Sequence, residues 1–132
     1  MKIFVDTSAF YALLDRADTN HKKANAVWIG MLNGEDTLVT SNYVLVESFA
    51  LLQSRHGIEA VRVFQEDILP LINVQFVDPE IHRPSVAGLM AASKRNLSLV
   101  DCVSFEVMRA SGIKAVFTFD PHFKEQGFTV IP

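Results

Sequence analysis

The 132-residue sequence holds a single cysteine, Cys102. That excludes an internal disulfide and any paired-cysteine redox or zinc motif. No stretch approaches the roughly 18 apolar residues of a membrane-spanning helix. Met1-Lys2-Ile3-Phe4-Val5 begins like a secretory leader, but Asp6 breaks its short apolar run at once. The expectation is a soluble, cytoplasmic protein without a membrane partner. A basic excess is also missing: 12 Lys and Arg face 15 Asp and Glu, a net charge of −3. This excludes a protein that holds nucleic acid by charge alone, but not one that meets it through a metal ion. Tryptophan (one) and tyrosine (two) are scarce beside ten phenylalanines, which read as core filling. Internal repeats and low-complexity tracts are absent as well.

What is present fits one domain over 1–132, long enough to bury about two-thirds of its unfolded surface without a staple. The hydrophobic pattern predicts strands at 3–5, 37–40, 73–77, 114–119 and 127–131. Helices are predicted at 9–14, from 19 or 20 to 32 with Gly34 ending it, and at 43–56 with Gly57 closing it. Others run over 59–69 ahead of Pro70, from Asp78-Pro79-Glu80 to 95, and over 98–112. Strands alternating with helices, with few hairpin signals, give an α/β fold: a central, mostly parallel twisted sheet flanked by helices. In such folds the site lies beyond the carboxyl ends of the strands.

Most acidic residues, Asp15 and Asp18 among them, sit in polar surroundings or at helix ends and read as solvated. Four do not. Asp6 directly follows the first strand, where it serves either as a turn residue or as a ligand. Glu47 lies in Tyr43-Val44-Leu45-Val46-Glu47-Ser48-Phe49-Ala50-Leu51-Leu52, a helix apolar enough to be buried nearly all round. An unpaired carboxylate there costs several kcal/mol, so it must be neutral, paired with a cation, bound to a metal, or turned outward. Asp101 follows Ser98 at capping-box spacing, although Asp is short for the reach back to the cap. Ser104, on the same face, could support a ligand. Asp120 follows the fourth strand and precedes Pro121, a combination that also fits a simple helix cap.

If the strands are parallel, Asp6 and Asp120 lie on one edge of the sheet, Glu47 can face that edge, and Asp101 stands in a nearby first turn. Four converging carboxylates repel one another unless a cation joins them. Mg²⁺ or Mn²⁺ suits an all-oxygen donor set, and no Cys or His cluster suggests zinc. His21, His56, His82 and His122 are scattered, though His122 is two positions from Asp120.

These segments together resemble the PIN domain, and more narrowly the VapC-type ribonucleases of toxin–antitoxin pairs. The resemblance spans essentially the whole chain. It rests on Val5-Asp6-Thr7-Ser8, on Ser41-Asn42-Tyr43-Val44-Leu45-Val46-Glu47, on Leu97 through Phe105, and on Thr118-Phe119-Asp120-Pro121-His122-Phe123. It implies that Asp6, Glu47, Asp101 and Asp120 form a Mg²⁺ or Mn²⁺ site supported by Thr7 and Thr118. It further implies an endoribonuclease leaving 5′-phosphate and 3′-hydroxyl ends, a homodimer, and a cognate antitoxin bound in a groove between helices.

Positive charge for RNA could come from Arg16, Lys22, Lys23, Lys94 and Arg95, each of which also reads as an ordinary solvated residue. Single-stranded RNA is the expected substrate form. Among rival readings, a phosphatase with a strand-end Asp nucleophile usually carries a second Asp two residues on, where this chain has Ser8. A flap-type nuclease needs larger inserts. A housekeeping nuclease without an antitoxin, or a non-catalytic module whose acids are all caps, would keep the same fold. Setting the four acids aside leaves eleven against twelve bases, so the negative excess is no larger than the proposed metal site.

Overall fold

The computed structural model describes all 132 residues. Its sheet is built from β1 (Lys2–Val5), β2 (Thr37–Ser41), β3 (Asn73–Gln75), β4 (Ala115–Phe117) and β5 (Thr129–Ile131). All four pairings are parallel, in the order β3-β2-β1-β4-β5. Around the sheet lie α1 (Thr7–Leu14), α2 (His21–Asn33), α3 (Asn42–His56), α4 (Ile58–Val63), α5 (Pro79–Ala92), α6 (Leu99–Ala110) and α7 (His122–Glu125). No helix is long and apolar enough to cross a membrane.

The expected α/β architecture is therefore present, and β1 is its centre. Ile3, Phe4 and Val5 are almost wholly buried, as a strand flanked by parallel partners requires. Phe4, Phe10, Phe64, Phe117 and Phe123 fill the core. Phe76 departs from the core-filling expectation and is 73% exposed.

Several boundaries differ from the sequence reading. The segment expected as one helix over 59–69 is α4, then a π-turn at Phe64–Ile68 and a 3-10 turn at Leu69–Leu71. α5 stops at Ala92 rather than at 95, because Ser93 takes the left-handed conformation (φ 52°) and ends the helical hydrogen bonding. β4 ends at Phe117 rather than at 119, because the Phe119 N–H donates to the Ser8 hydroxyl instead of a ladder partner. The cap expected at Asp120-Pro121 leads into a single short turn, α7.

The register aims the chain at the site. Val5 is opposite Phe117, so Asp6 and Thr118 leave neighbouring strands side by side. The Asp6 N–H still donates to the Phe117 carbonyl at 3.1 Å. On the other side, Ser41 ends β2 and caps α3 by accepting from the Val44 N–H.

Candidate metal centre

Asp6, Glu47, Asp101 and Asp120 all line one cleft of about 290 Å³ at the carboxyl end of the sheet. Thr7, Ser8, Tyr11, Asp18, Asn20, Leu51 and Phe119 complete its wall. Five of the eleven lining residues are acidic, and none is Lys or Arg.

Asp6 is the deepest, 4% exposed. Its Oδ2 accepts hydrogen bonds from the Thr118 hydroxyl at 2.9 Å and the Ser8 hydroxyl at 3.0 Å. Burial pushes its carboxyl up to about 6; the Thr118 hydroxyl opposes that, the charge of Asp101 adds to it, and Ser8 and the Thr7 N–H draw it back.

Asp101 closes the capping box of α6. Ser98 Oγ accepts from the Asp101 N–H at 3.1 Å, and Asp101 Oδ2 accepts from the Ser98 N–H at 3.0 Å. The short side chain does make the reach, because the extended backbone at Ser98 (φ −95°, ψ 165°) brings its N–H toward the first turn. Being a cap does not remove Asp101 from the cleft, since Oδ1 accepts no hydrogen bond. Burial raises its carboxyl, the Ser98 N–H opposes the rise, and the charges of Asp120 and Glu47 add to it.

Asp120 is likewise both turn residue and cleft residue. Its Oδ1 accepts from the His122 N–H at 2.9 Å, and its own N–H donates to the Thr118 hydroxyl at 3.0 Å. His122 Nδ1 lies 2.7 Å from Asp120 Oδ1, at an angle that leaves it without a directed hydrogen bond. One ligand atom each from Asp101, Asp120 and His122 fall within 4.8 Å of one another. Proximity in sequence was the only sign that His122 belongs here.

Glu47 occupies the cleft for a different reason from the one its apolar helix suggested. α3 is not buried all round: it buries Val44, Ser48 and Leu52, one stripe at four-residue spacing, while Val46 is 70% exposed. α3 packs on α1, α4, α6 and β2; Tyr43, Leu45 and Phe49 flank the stripe half-buried against the core, while Val46 and Ala50 face outward. Glu47 is half-buried, with no hydrogen bond or ion pair, and looks into the cleft.

The expected supporting residues separate. Thr118 bonds both Asp6 and the Asp120 N–H. Thr7 lines the cleft, and its buried hydroxyl has no partner at all. Ser104 stands outside the cleft; its hydroxyl, fully buried, donates to the Val100 carbonyl one turn back. Ser8, read from sequence as part of the Val5-Asp6-Thr7-Ser8 motif and as the place of a missing aspartate but not as a support, touches Asp6, Thr118 and the Phe119 N–H. Asp18, read as solvated, also reaches the wall, with Oδ1 held by the Asn20 N–H at 2.8 Å. Arg16, Lys22, Lys23, Lys94 and Arg95 do not line the cleft.

Donor chemistry and burial fit a hard divalent cation. The lining offers carboxylate oxygens without a Lys or Arg to neutralise them, and an orphaned hydroxyl at Thr7.

Residues 3–128 match the family described as "PIN domain". The chain belongs to the PIN domain family. A PIN relative in Mycobacterium tuberculosis, the 23S rRNA-specific endonuclease VapC20, is 33% identical over 130 residues, covering 98% of this chain and 97% of its own. Its crystal structure, described as that of a sarcin-ricin loop cleaving toxin, superposes with a TM-score of 0.87 over 98% of this chain and 99% of the other. Two more distant structures share the PIN fold. FitAcB from Neisseria gonorrhoeae has a TM-score of 0.69 at 17% identity, covering 100% of this chain and 97% of the other. VapBC2 from Rickettsia felis, bound to a DNA fragment from its promoter, has a TM-score of 0.73 at 10% identity, covering 98% and 97%.

Proposed function

We propose that the chain is a Mg²⁺- or Mn²⁺-dependent endoribonuclease and the toxin of a type II toxin–antitoxin pair. The observation that carries the reading is the convergence of Asp6, Glu47, Asp101 and Asp120 on one cleft that no Lys or Arg lines. Full-length similarity to a 23S rRNA-specific endonuclease supports RNA as the substrate. The structural likeness to VapBC2 and FitAcB supports a cognate antitoxin as partner, and we further infer a cytoplasmic site of action and a homodimeric working form.

Asp6 and Asp101 would hold the metal centrally, with Asp120 and Glu47 completing the set. Once bound, the ion supplies Lewis-acid polarisation of a phosphodiester and a water of lowered pKa. The chain's own part is positioning. Thr118 and Ser8 fix the Asp6 carboxylate, and the capping box fixes Asp101, so both present preset oxygens. Glu47, free of internal partners, is the carboxylate best placed to orient the attacking water and take its proton. Hydrolysis would leave 5′-phosphate and 3′-hydroxyl ends.

The test is cleavage of purified ribosomal RNA with Mn²⁺, with EDTA, and by Asp101→Asn, followed by sequencing of the new ends. Mn²⁺-dependent cuts with 5′-phosphates, absent from the variant, support the reading. Cleavage unaffected by EDTA or by the substitution overturns it.

A further inference from the structure

The cleft poses an electrostatic difficulty, because a phosphate chain must approach a wall of five carboxylates. No Lys or Arg lines that wall, yet one is held against it. Arg55 Cζ lies 5.2 Å from the ring centroid of Tyr11, a lining residue. It is the one Lys or Arg that an ion pair or cation–π contact joins to a lining side chain.

The arrangement is built from both sides of the cleft. On α3, Glu47, Leu51 and Arg55 are spaced four residues apart and so form one row. The first two line the cleft, and Arg55 extends the row one turn beyond Leu51. On α1, Tyr11 faces it. The Tyr11 hydroxyl pairs with His56 Nε2 at 3.2 Å, and the two rings are 5.8 Å apart. Asp15, one turn on from Tyr11, sits 3.7 Å from the same His56 nitrogen. The Asp15 carboxylate is itself anchored by the Ala17 N–H at 3.0 Å. Tyr11 is thus pinned by His56 and serves as a platform that keeps an exposed guanidinium at the mouth of an acidic cleft. Arg55 lies over the Tyr11 ring, and the nearby Asp15 carboxylate favours its charge without a direct ion pair.

We propose that Arg55 binds the RNA backbone, at a phosphate neighbouring the scissile one, and that Tyr11 is the positioning residue that aims it. The proposal rests on the nuclease reading above. A guanidinium suits the task, since its planar fork matches two phosphate oxygens and remains charged at all working pH values. The aromatic platform reduces the side-chain freedom that RNA binding would otherwise remove.

Initial rates of Mn²⁺-dependent cleavage of purified ribosomal RNA, measured against RNA and salt concentration, test this. Arg55→Gln should raise KM about tenfold with kcat within about twofold. The slope of log(kcat/KM) against log salt should become shallower by about 0.7, the value for one fewer phosphate neutralised on a single strand. Arg55→Lys should restore that slope while recovering only part of KM. Tyr11→Leu should mimic Arg55→Gln yet keep the Mn²⁺-induced rise in melting temperature, which a merely structural role at the cleft would not preserve. Arg62→Gln, on exposed α4 and paired with Glu59, should match wild type. A wild-type KM and salt slope in Arg55→Gln overturns the proposal while leaving the nuclease reading intact. Failure of the wild type to cut RNA overturns both.

Discussion

The hydroxyl of Thr118 donates 2.9 Å to the Asp6 carboxylate from 112 positions away in the chain, and it also accepts the Asp120 N–H. One hydroxyl therefore holds the Asp6 carboxylate and the backbone that carries Asp120. Thr118→Val keeps the shape and removes both bonds. The expected result is a loss of about 10- to 100-fold in Mn²⁺ affinity or activity, measured by Mn²⁺ titration of the melting temperature alongside cleavage rates. Ser8→Ala should lose less at Asp120 but a comparable amount at Asp6.

Metal-free stability should fall as pH rises. With the Asp6 carboxyl at about 6 in the fold, against 3.8 ordinarily, the folded state binds more protons than the unfolded one between those values. Each rise in pH across that window therefore favours unfolding. The loss on going from about pH 4 to pH 7 is on the order of 3 kcal/mol from Asp6, and Asp101, raised for the same reason, acts in the same direction. Urea unfolding in EDTA at the two pH values measures it. Asp6→Asn should flatten the dependence; an unchanged slope in that variant would contradict the assignment.

Adding Mn²⁺ should reverse this trend, because the ion competes with the proton for the same oxygens. Wild type should gain more melting temperature from Mn²⁺ at pH 7 than at pH 5. Asp6→Asn should show no gain at either pH and at least about a hundredfold less cleavage.

Ser98→Ala separates the two duties of Asp101. Losing the cap costs about 1 kcal/mol and lowers the melting temperature by a few degrees. It also unlocks the Asp101 carboxylate, so cleavage should fall further than stability alone explains. Comparing rates well below the transition with the melting curve distinguishes the two effects.

Glu47→Gln should behave in the opposite manner. The carboxylate is half-buried and bonded to nothing within the chain, so stability should change by no more than about 0.5 kcal/mol. Cleavage should nonetheless drop at least about tenfold, as expected for a group that orients or deprotonates water.

The strand–helix alternation was legible because buried parallel strands leave unbroken apolar runs, as in Ile3-Phe4-Val5. Asp6 and Asp120 were legible as carboxylates at strand ends. Glu47 was found on an overstated premise: composition gives the apolar content of α3, but only packing decides which stripe is covered, and Val44, Ser48 and Leu52 win it. Asp101 was legible as a cap, though its reach depended on a backbone angle no residue type reveals. Ser8 escaped notice as a support because its partners, Thr118 and Phe119, are brought to it by the β1–β4 register. The π-turn after α4 carries no periodic signal at all.

The position of β1 at the centre of the sheet has a consequence for synthesis. β1 waits for its β4 neighbour until the segments that form β2, β3 and α1 to α6 have all been translated. Asp6 lacks Thr118 and the cleft lacks Asp120 until that late segment leaves the ribosome. A nascent or prematurely terminated chain thus carries the early carboxylates without the late ones. The order of synthesis itself delays the completed site in the cell that makes it.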